Sequence, residues 1–333
     1  MGHDRRPGGQ RALHHVSWRE RALALLRPGD PTPLIALPGG RVLLKDESRH
    51  PTGTLRHRHA RILFRNAVVD GLVTEGTTVI EAAGGNAAVA QAWFARRLGL
   101  PYVAVMPGAP SPERARPVEE LGGRVRFVTP PLAIYDEARR LAEGGSAHYL
   151  DQFGRAAPHD LGDELAGQVD PAWVVAGANT GATSASLAAA GLRVAVADPE
   201  NSAYFPGWTL DAPDYATGMP SRIEGIGRPR VEPGFDFDAV RLVIPVADDE
   251  SLAMARWIWE TTGIPAGPSS GTALRAALKL AERGDGDTAH DGGAGRGGGA
   301  RLGANVGPIV AIVGDAHPRH IHRYPESSAL PQS

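Results

Sequence analysis

The sequence predicts an α/β protein built around mostly parallel sheets. Short apolar runs rich in β-branched residues alternate along the chain with longer segments of helical periodicity. This alternation is typical of βαβ units, in which a helix leads from one strand to the next parallel strand. With 333 residues, of which 42% are hydrophobic, the chain is long enough for about two domains.

The predicted elements follow one another in a regular order. Strands are predicted at 42–45, 78–82, 102–106, 125–128, 148–151, 173–176, 194–197, 242–246 and 309–313. Helices are predicted at 55–69, 86–97, 112–121, 134–142, 161–168, 182–190, 250–262 and 271–283. Two stretches interrupt the pattern. Residues 201–238 are either an irregular excursion near a site or a plain surface loop, and the glycine-rich residues 284–307 are predicted to be a flexible insertion.

The composition excludes several functional classes. Lys+Arg 35 against Asp+Glu 37 gives a net charge of −2, so the chain has no overall positive field for nucleic acid or an acidic membrane. The absence of cysteine excludes thiolate chemistry, disulfides and cysteine-bound zinc. No apolar run approaches the ~20 residues that span a bilayer, so we expect a cytoplasmic protein whose Arg5 and Arg6 belong to a polar tail.

One segment combines a strand, a Pro/Gly turn and the start of a helix. It reads KDESRHPTGTLRHR at residues 45–58, with Thr54 placed to cap the helix. The segment resembles the stretch KDE..NPTGS-x-K-[DA]-R of the fold type II pyridoxal phosphate (PLP) enzymes, the group of cysteine synthase, cystathionine β-synthase, threonine synthase and threonine dehydratase. The lysine of that motif forms the Schiff base to PLP, and this sequence has Arg56 in its place.

Further motifs of the same family occur in the same order between Thr32 and Tyr324. They are TPL at 32–34, EAAGGNAA at 81–88, GANTGAT at 177–183, EGIG at 224–227, GPSSG at 267–271, and VGD at 313–315 followed by Arg323 and Tyr324. The resemblance implies a tryptophan synthase β-like fold with two open, mostly parallel sheets flanked by helices. It also implies a large domain from residues 1–44 and 148–333, a small domain at 45–147, and a site in the cleft between them.

Two groups of site residues follow from the resemblance, and each has a physical interpretation. The cofactor-binding candidates are Asn86, Gly177, Asn179, Thr180, Gly181, Thr183 and Ser270. Glycines after a strand that open a helix present backbone N–H groups to a phosphate. Asn86 is placed to contact the ring hydroxyl of PLP or to cap a helix, and Ser270 to face the ring nitrogen or to cap the helix at 271–283. The substrate-carboxylate candidates are Ala83, Gly84, Gly85 and Ala87.

The departures from the family pattern concern the chemistry itself. Arg56 has no free amine and a pKa above ~12, so it cannot form a Schiff base and is a poor general base. Lys45, on the strand before the motif, and Lys279, within a helix, are the only lysines, and neither position matches a cofactor lysine. The carboxylate loop has Ala83, Gly84 and Ala87 where the family has hydroxyl groups, so we expect weaker binding of an amino-acid carboxylate.

Two clusters of basic residues leave alternatives open. The run from Arg56 to His59 places cations in the first turn of a helix, where they oppose the helix dipole. The run is therefore either a clamp for a phosphate or carboxylate, or an arginine-rich surface whose side chains extend into water. His317, His320 and His322 are expected to form a solvated tail rather than a metal site.

These observations favour a cysteine synthase-like protein that lacks the Schiff-base lysine. It would be a pseudoenzyme, acting as a binding or regulatory homologue of enzymes of amino-acid β-replacement. The alternative is an active lyase or synthase that uses PLP without a Schiff base to the protein, or another anionic ligand held by Arg56. Any PLP would then be bound noncovalently. The expected partners are a small amino acid or phosphate ligand, a second copy in a homodimer, and an active relative, without nucleic acid, membrane or metal.

Overall fold

A computed structural model describes residues 16–219, 221–283 and 307–323. Its strands, numbered along the chain, are β1 (Leu34–Ala36), β2 (Val42–Asp46), β3 (Thr78–Ala82), β4 (Tyr102–Pro107), β5 (Arg124–Val128), β6 (Ala147–Tyr149), β7 (Trp173–Gly177), β8 (Val194–Pro199), β9 (Leu242–Val246) and β10 (Ile309–Val313). Its helices are α1 (Trp18–Leu25), α2 (Arg56–Val69), α3 (Gly85–Leu98), α4 (Pro112–Glu119), α5 (Ile134–Ala142), α6 (Leu161–Gln168), α7 (Ala182–Ala189), α8 (Tyr204–Thr209), α9 (Asp248–Thr262) and α10 (Pro268–Arg283).

The strands form two separate sheets. A six-stranded sheet has the order β1-β2-β10-β7-β8-β9 and a four-stranded sheet the order β5-β4-β3-β6. Every neighbouring pair is parallel except β1 and β2, which are antiparallel. The fold is therefore the α/β arrangement of two mostly parallel sheets flanked by helices that the sequence predicts. The predicted domain boundaries, at 45 and 148, fall within β2 and β6.

The central strands of the large sheet are buried along their whole length. In β8 and β10 every residue is buried, because helices cover both faces of a parallel sheet. The core of this sheet includes Trp173 and residues of α9 and α10, while a second core packs α2 and α3 beside β3 and β4. None of the described helices is long and apolar enough to cross a membrane.

The structure adds elements that periodicity does not predict. β1 is a three-residue strand at the sheet edge, α1 buries Ala22 as its one fully buried residue, and α8 contains a proline and a glycine. The excursion at 201–238 is not a plain surface loop, because its aromatic side chains form a buried cluster that includes Tyr204, Trp208 and Phe235. The predicted flexible insertion, apart from residue 307, and the Arg5 and Arg6 tail lie outside the described residues.

Candidate functional site

A cleft of about 560 Å³ lies where several parallel strands end. Its walls include the turns after β3 and β7, the start of α2, the segment around Gly225, and Gly314 and Asp315 after β10. The carboxyl ends of parallel strands are the usual position of ligand sites in open α/β sheets. The cleft contains all of the sequence-predicted site residues except Ser270.

The turn between β7 and α7 is shaped for an anionic group. Gly181 has a φ of +87°, and a Cβ there would lie 1.9 Å from the carbonyl oxygen of Gly234. A Cβ at Gly177 would lie 2.5 Å from a methyl group of Ile226. Both positions therefore require glycine, and the turn leads into the N-terminus of α7, where backbone N–H groups and the helix dipole favour a phosphate. Asn179, Thr180 and Thr183 complete this wall of the cleft.

Asn86 does not cap its helix. α3 begins at Gly85 with Gly84 as its N-cap residue, and the Asn86 side chain instead donates to Asp315 Oδ2 over 2.7 Å. His320 Nε2 lies 3.1 Å from the same oxygen. His320 is buried, so the expectation of a solvated histidine tail is wrong for this residue. The three side chains connect α3 to the segment after β10, and two of them, Asn86 and Asp315, line the cleft.

Arg56 reaches across the cleft from the start of α2. Its guanidinium donates to the carbonyl oxygen of Gly225, which also accepts from Asn179 Nδ2 over 3.1 Å. Burial lowers the pKa of Arg56 from its usual value, while the negative charge of Asp315 opposes that shift. The side chain at the family lysine position therefore connects α2 to the segment around Gly225, which also contacts the turn at 177–183.

Thr54 lies one residue before the N-cap position of α2, the helix that it was predicted to cap. The N-cap residue of α2 is Leu55, and the Thr54 hydroxyl accepts from the backbone N–H of Arg56 over 3.2 Å. The same hydroxyl donates to the carbonyl oxygen of Gly314 over 3.1 Å. Thr54 thus fixes the position of Arg56 relative to the end of β10.

The Lys45 ammonium lies in a buried network of charged and polar groups outside the cleft. Its ammonium donates to the Thr32 carbonyl oxygen over 2.7 Å, to Glu164 over 2.5 Å and to Gln168 over 2.6 Å. The Lys45 side chain is fully buried. All three donors of the ammonium are thus used, and Lys45 is absent from the cleft wall.

Lys279 lies in α10 and contacts residues of β9 and α9. Its ammonium is 3.0 Å from Glu250 Oε2 and 3.3 Å from the carbonyl oxygen of Pro245. It also lies outside the cleft wall. Because the sequence has no other lysine, the cleft contains no lysine amine.

The rest of the basic run after Arg56 is buried, at His57, Arg58 and His59. The interpretation that the side chains of this run extend into water is therefore wrong for these three residues. Arg58 pairs with Glu47 over 2.6 Å, with Glu164 over 2.7 Å and with Asp160 over 3.2 Å. These carboxylates balance the charge that opposes the helix dipole at this end of α2.

The turn before α3 brings two charged side chains to the predicted carboxylate site. A Cβ at Gly85 would lie 3.0 Å from Glu224 Oε1, and one at Gly84 would lie 3.7 Å from a guanidinium nitrogen of Arg114. Ala83 and Ala87 also line this wall, and their side chains are methyl groups without a hydroxyl. A carboxylate of the protein is therefore already close to the N-terminus of α3.

The structure places Ser269, not Ser270, in the wall of the cleft. Ser270 is buried, and its hydroxyl accepts from the backbone N–H of Gly314 over 3.1 Å. α10 begins at Pro268, so Ser270 lies inside the first turn and not at its cap. Ser270 thus joins α10 to the turn after β10.

The chain is similar to proteins of known family. The family described as "PALP: Pyridoxal-phosphate dependent enzyme" matches residues 25–289. The chain belongs to the pyridoxal-phosphate-dependent enzyme family. It is 42% identical over 256 residues to "L-cysteine desulfhydrase Cds1" of Mycobacterium tuberculosis (strain ATCC 25177 / H37Ra), covering 71% of this chain and 70% of that protein. It is 28% identical over 276 residues to "Cysteine synthase A" of Escherichia coli (strain K12), covering 75% and 84%.

Solved structures confirm the fold of a pyridoxal-phosphate-dependent enzyme. A cysteine synthase (OASS) of Entamoeba histolytica superposes with a TM-score of 0.73 at 23% identity, covering 98% of this chain and 96% of that chain. The predicted fold type II architecture is thereby confirmed.

The cleft fits one part of the family cofactor and not another. The turn at 177–183 suits a phosphate because its glycines allow a close approach and Thr183 supplies a hydroxyl. The position that would carry the carbonyl-reactive amine has Arg56, whose guanidinium cannot replace a primary amine. Covalent attachment of the cofactor therefore does not fit the residues present.

Several residues of the cleft were not singled out from the sequence. Arg228 lies in the wall and donates to Glu232 over 2.8 Å and to the Tyr135 hydroxyl over 2.9 Å. Glu224 belongs to the EGIG motif at 224–227 and Asp315 to the VGD motif at 313–315, so the sequence carries a signal for both. Arg114 lies in α4, in a stretch without a motif, and only the fold brings it to the cleft.

Two buried histidines are coupled electrostatically near Arg56. Burial lowers the pKa of His59 to about 3, and the charge of Arg56 adds to the effect. Burial lowers the pKa of His159 to about 4, and Arg58 adds to it. Both ring nitrogens of His159 lack a hydrogen-bond partner among the described residues. Both rings are therefore neutral at physiological pH.

We expect His159→Leu to reduce the sensitivity of the protein to acid. His159 has a folded pKa of about 4 against 6.5 in the unfolded chain. Its contribution is therefore fully present above pH 6.5 and is lost as the pH falls towards 4. Between pH 6.5 and pH 4, the free energy of unfolding of the wild type should fall by about 1.4 kcal/mol per pH unit relative to that of the variant. Urea unfolding at a series of pH values measures the difference, with pH 8 as the internal reference. If the difference in unfolding free energy between wild type and variant does not change with pH, the lowered pKa of His159 is contradicted.

Proposed function

We propose that this chain is a noncatalytic, cysteine synthase-like member of its family that binds a phosphate-bearing ligand in the cleft. It would act as a binding or regulatory homologue of amino-acid β-replacement enzymes. The observation that carries the proposal is the placement of the two lysines. Lys45 and Lys279 both donate to other groups outside the cleft, while Arg56 occupies the family position and bonds across it.

The chemistry of Arg56 supports this proposal. A Schiff base requires a primary amine that can lose its proton and attack a carbonyl carbon. Burial lowers the pKa of Arg56, yet a guanidinium stays protonated and has no nucleophilic amine. Arg56 can hold an anion or the Gly225 carbonyl oxygen, but it cannot perform the covalent step.

The wall around α3 gives independent support. The family resemblance implies that this turn binds the carboxylate of an amino acid. Here the hydroxyl groups are absent at Ala83 and Ala87, and Glu224 approaches Gly85 closely. A second carboxylate beside Gly85 would meet the like charge of Glu224, which disfavours binding, and the guanidinium of Arg114 beside Gly84 offsets this repulsion only in part. An amino-acid substrate is thus expected to bind weakly.

The turn at 177–183 supports ligand binding rather than complete loss of the site. Gly177 and Gly181 lie where a side chain would collide with the backbone or with Ile226. The turn therefore keeps the close backbone approach that a phosphate needs. We propose that PLP, if it is the ligand, is held noncovalently by this turn.

The second candidate is an active lyase or synthase. It is favoured by the 42% identity to a protein named L-cysteine desulfhydrase. Such an enzyme would have to use PLP without a Schiff base to the protein, or use another ligand held by Arg56. This candidate predicts turnover that depends on Arg56.

A turnover and binding experiment distinguishes the two candidates. The purified protein is incubated with PLP and either L-cysteine, with sulfide release measured, or O-acetylserine, with loss of substrate measured. The proposal expects no turnover above a protein-free control, but saturable PLP binding that Thr183→Ala weakens. Substantial turnover that is lost in Arg56→Ala and kept in Arg65→Ala, a change at an exposed position of the same helix, would establish the active enzyme instead.

The remaining expectations are also proposals. We propose that the protein forms a homodimer or associates with an active relative, and that it acts in the cytoplasm. Sedimentation of the purified chain, alone and mixed with an active homologue, tests the first proposal. If this chain sediments as a monomer both alone and in the presence of the homologue, the proposed association is contradicted.

A further inference from the structure

A second cavity, of about 440 Å³, lies on the other side of α2 from the cleft. The two cavities share no lining residue: Arg56 borders the cleft, whereas His57, Arg58 and Arg61 border the second cavity. Its volume is within the range of sites for small molecules. No step of the proposed function uses it.

The floor of this cavity is electrically balanced. Arg58 and Arg61 share Asp160, at 3.2 Å and 2.5 Å, and Arg58 pairs further with Glu47 and Glu164. Lys45 also pairs with Glu164, so three cations face three carboxylates. His57 packs between the rings of His50, Trp93 and Phe94, at centroid distances of 4.7–5.0 Å. Burial lowers the pKa of His57 to about 3, and His50 and Arg61 add to the effect, so the imidazole contributes no charge near pH 7.

The rim of the cavity carries an excess of positive charge. Arg27, Arg49 and Arg97 all border it, from three separate segments of the chain. Asp30 is the one carboxylate at the rim among the described residues, and the buried Asp46, which does not border the cavity, lies 4.0 Å from Arg49. Arg97 lies 4.8 Å over the Trp93 ring, which holds its guanidinium beside the cavity.

We propose that this second cavity binds a small anion that carries a diphosphate group. Three guanidinium groups around one opening repel each other, and an anion with two or more charges removes that repulsion. Guanidinium forks match phosphate oxygens in geometry as well as charge. The cavity has room for the diphosphate and for an attached nucleoside.

The test measures binding of pyrophosphate and of ADP to the full chain by isothermal titration calorimetry at about 0.15 M salt. The double variant Arg49→Ala with Arg97→Ala removes two rim charges from exposed positions and should fold normally. We expect it to weaken pyrophosphate binding about tenfold or more. Arg96→Ala is the matched control, because Arg96 is the exposed neighbour on α3 that borders neither cavity and donates to Glu120. It should bind as the wild type does.

Thr183→Ala separates this site from the cleft, since Thr183 borders only the cleft. Pyrophosphate binding at the second cavity should persist in that variant. Tighter binding of ADP than of pyrophosphate would identify a nucleotide as the ligand of the second cavity. Equal binding would show that the cavity recognises the diphosphate group alone. The proposal is overturned by the absence of saturable binding, by an equal loss in Arg96→Ala, or by binding that disappears in Thr183→Ala and survives in the double variant.

Discussion

Arg56→Lys is expected to form about one reducible PLP adduct per chain, whereas the unaltered protein is expected to form none. Position 56 lies at the start of α2 and borders the cleft opposite the phosphate turn. A lysine there supplies the missing amine. Burial would favour its reactive, uncharged form, and the negative charge of Asp315 would oppose that shift only in part. Borohydride reduction followed by peptide mapping locates the adduct.

Arg65→Lys is the matched control for this variant. Position 65 lies on the exposed side of the same helix, so it adds an amine outside the cleft. With one equivalent of PLP, it should form no stoichiometric adduct. Even in Arg56→Lys, turnover of amino acids should stay low because Ala83, Ala87 and Glu224 still line the predicted carboxylate site. An Arg56→Lys protein without an adduct would contradict the assignment of position 56.

Glu164→Ala is expected to lower the free energy of unfolding by about 3–5 kcal/mol. Glu164 accepts from Lys45 over 2.5 Å, from the backbone of Thr32 over 2.8 Å and from Arg58 over 2.7 Å. Its removal leaves the fully buried ammonium of Lys45 with only neutral oxygen acceptors. Because Lys45 belongs to β2 and Glu164 to α6, the loss disturbs the packing of α6 on the sheet. Urea denaturation measures the change.

Two further variants test whether a stranded charge causes this loss. Glu119→Ala, at an exposed carboxylate, should change stability by no more than about 0.5 kcal/mol. Adding Lys45→Met to Glu164→Ala should recover part of the loss, because the unpaired ammonium is then absent. A loss below about 1 kcal/mol in Glu164→Ala would show that the network is not a stabilising unit.

The sequence predicts the regular part of this fold because parallel strands buried on both faces are recognisable as apolar runs. β8 and β10 are fully buried and were predicted within a few residues. β1 has three residues in an antiparallel edge position, and α8 is too short to show a helical period. Their existence depends on packing against neighbours that are distant in sequence.

The candidate site shows the same division. Motifs at the ends of β3, β7 and β10 predict which segments meet, because the carboxyl ends of parallel strands lie at one edge of a sheet. The partners of individual side chains are not predictable in this way. Lys45 bonds to Glu164, 119 positions away, and Asn86 bonds to Asp315, 229 positions away. Such pairs depend on side-chain directions that only the folded chain defines.

The most direct test of the central claim is mass analysis of the unaltered protein after one equivalent of PLP and borohydride. Lys45 has its ammonium donors used in a buried network, and Lys279 lies outside the cleft. We expect that neither lysine forms a stoichiometric adduct and that any PLP is released on denaturation. A reducible adduct at about one per chain on Lys45 or Lys279 would contradict it, and would mean that the protein uses a relocated Schiff-base lysine.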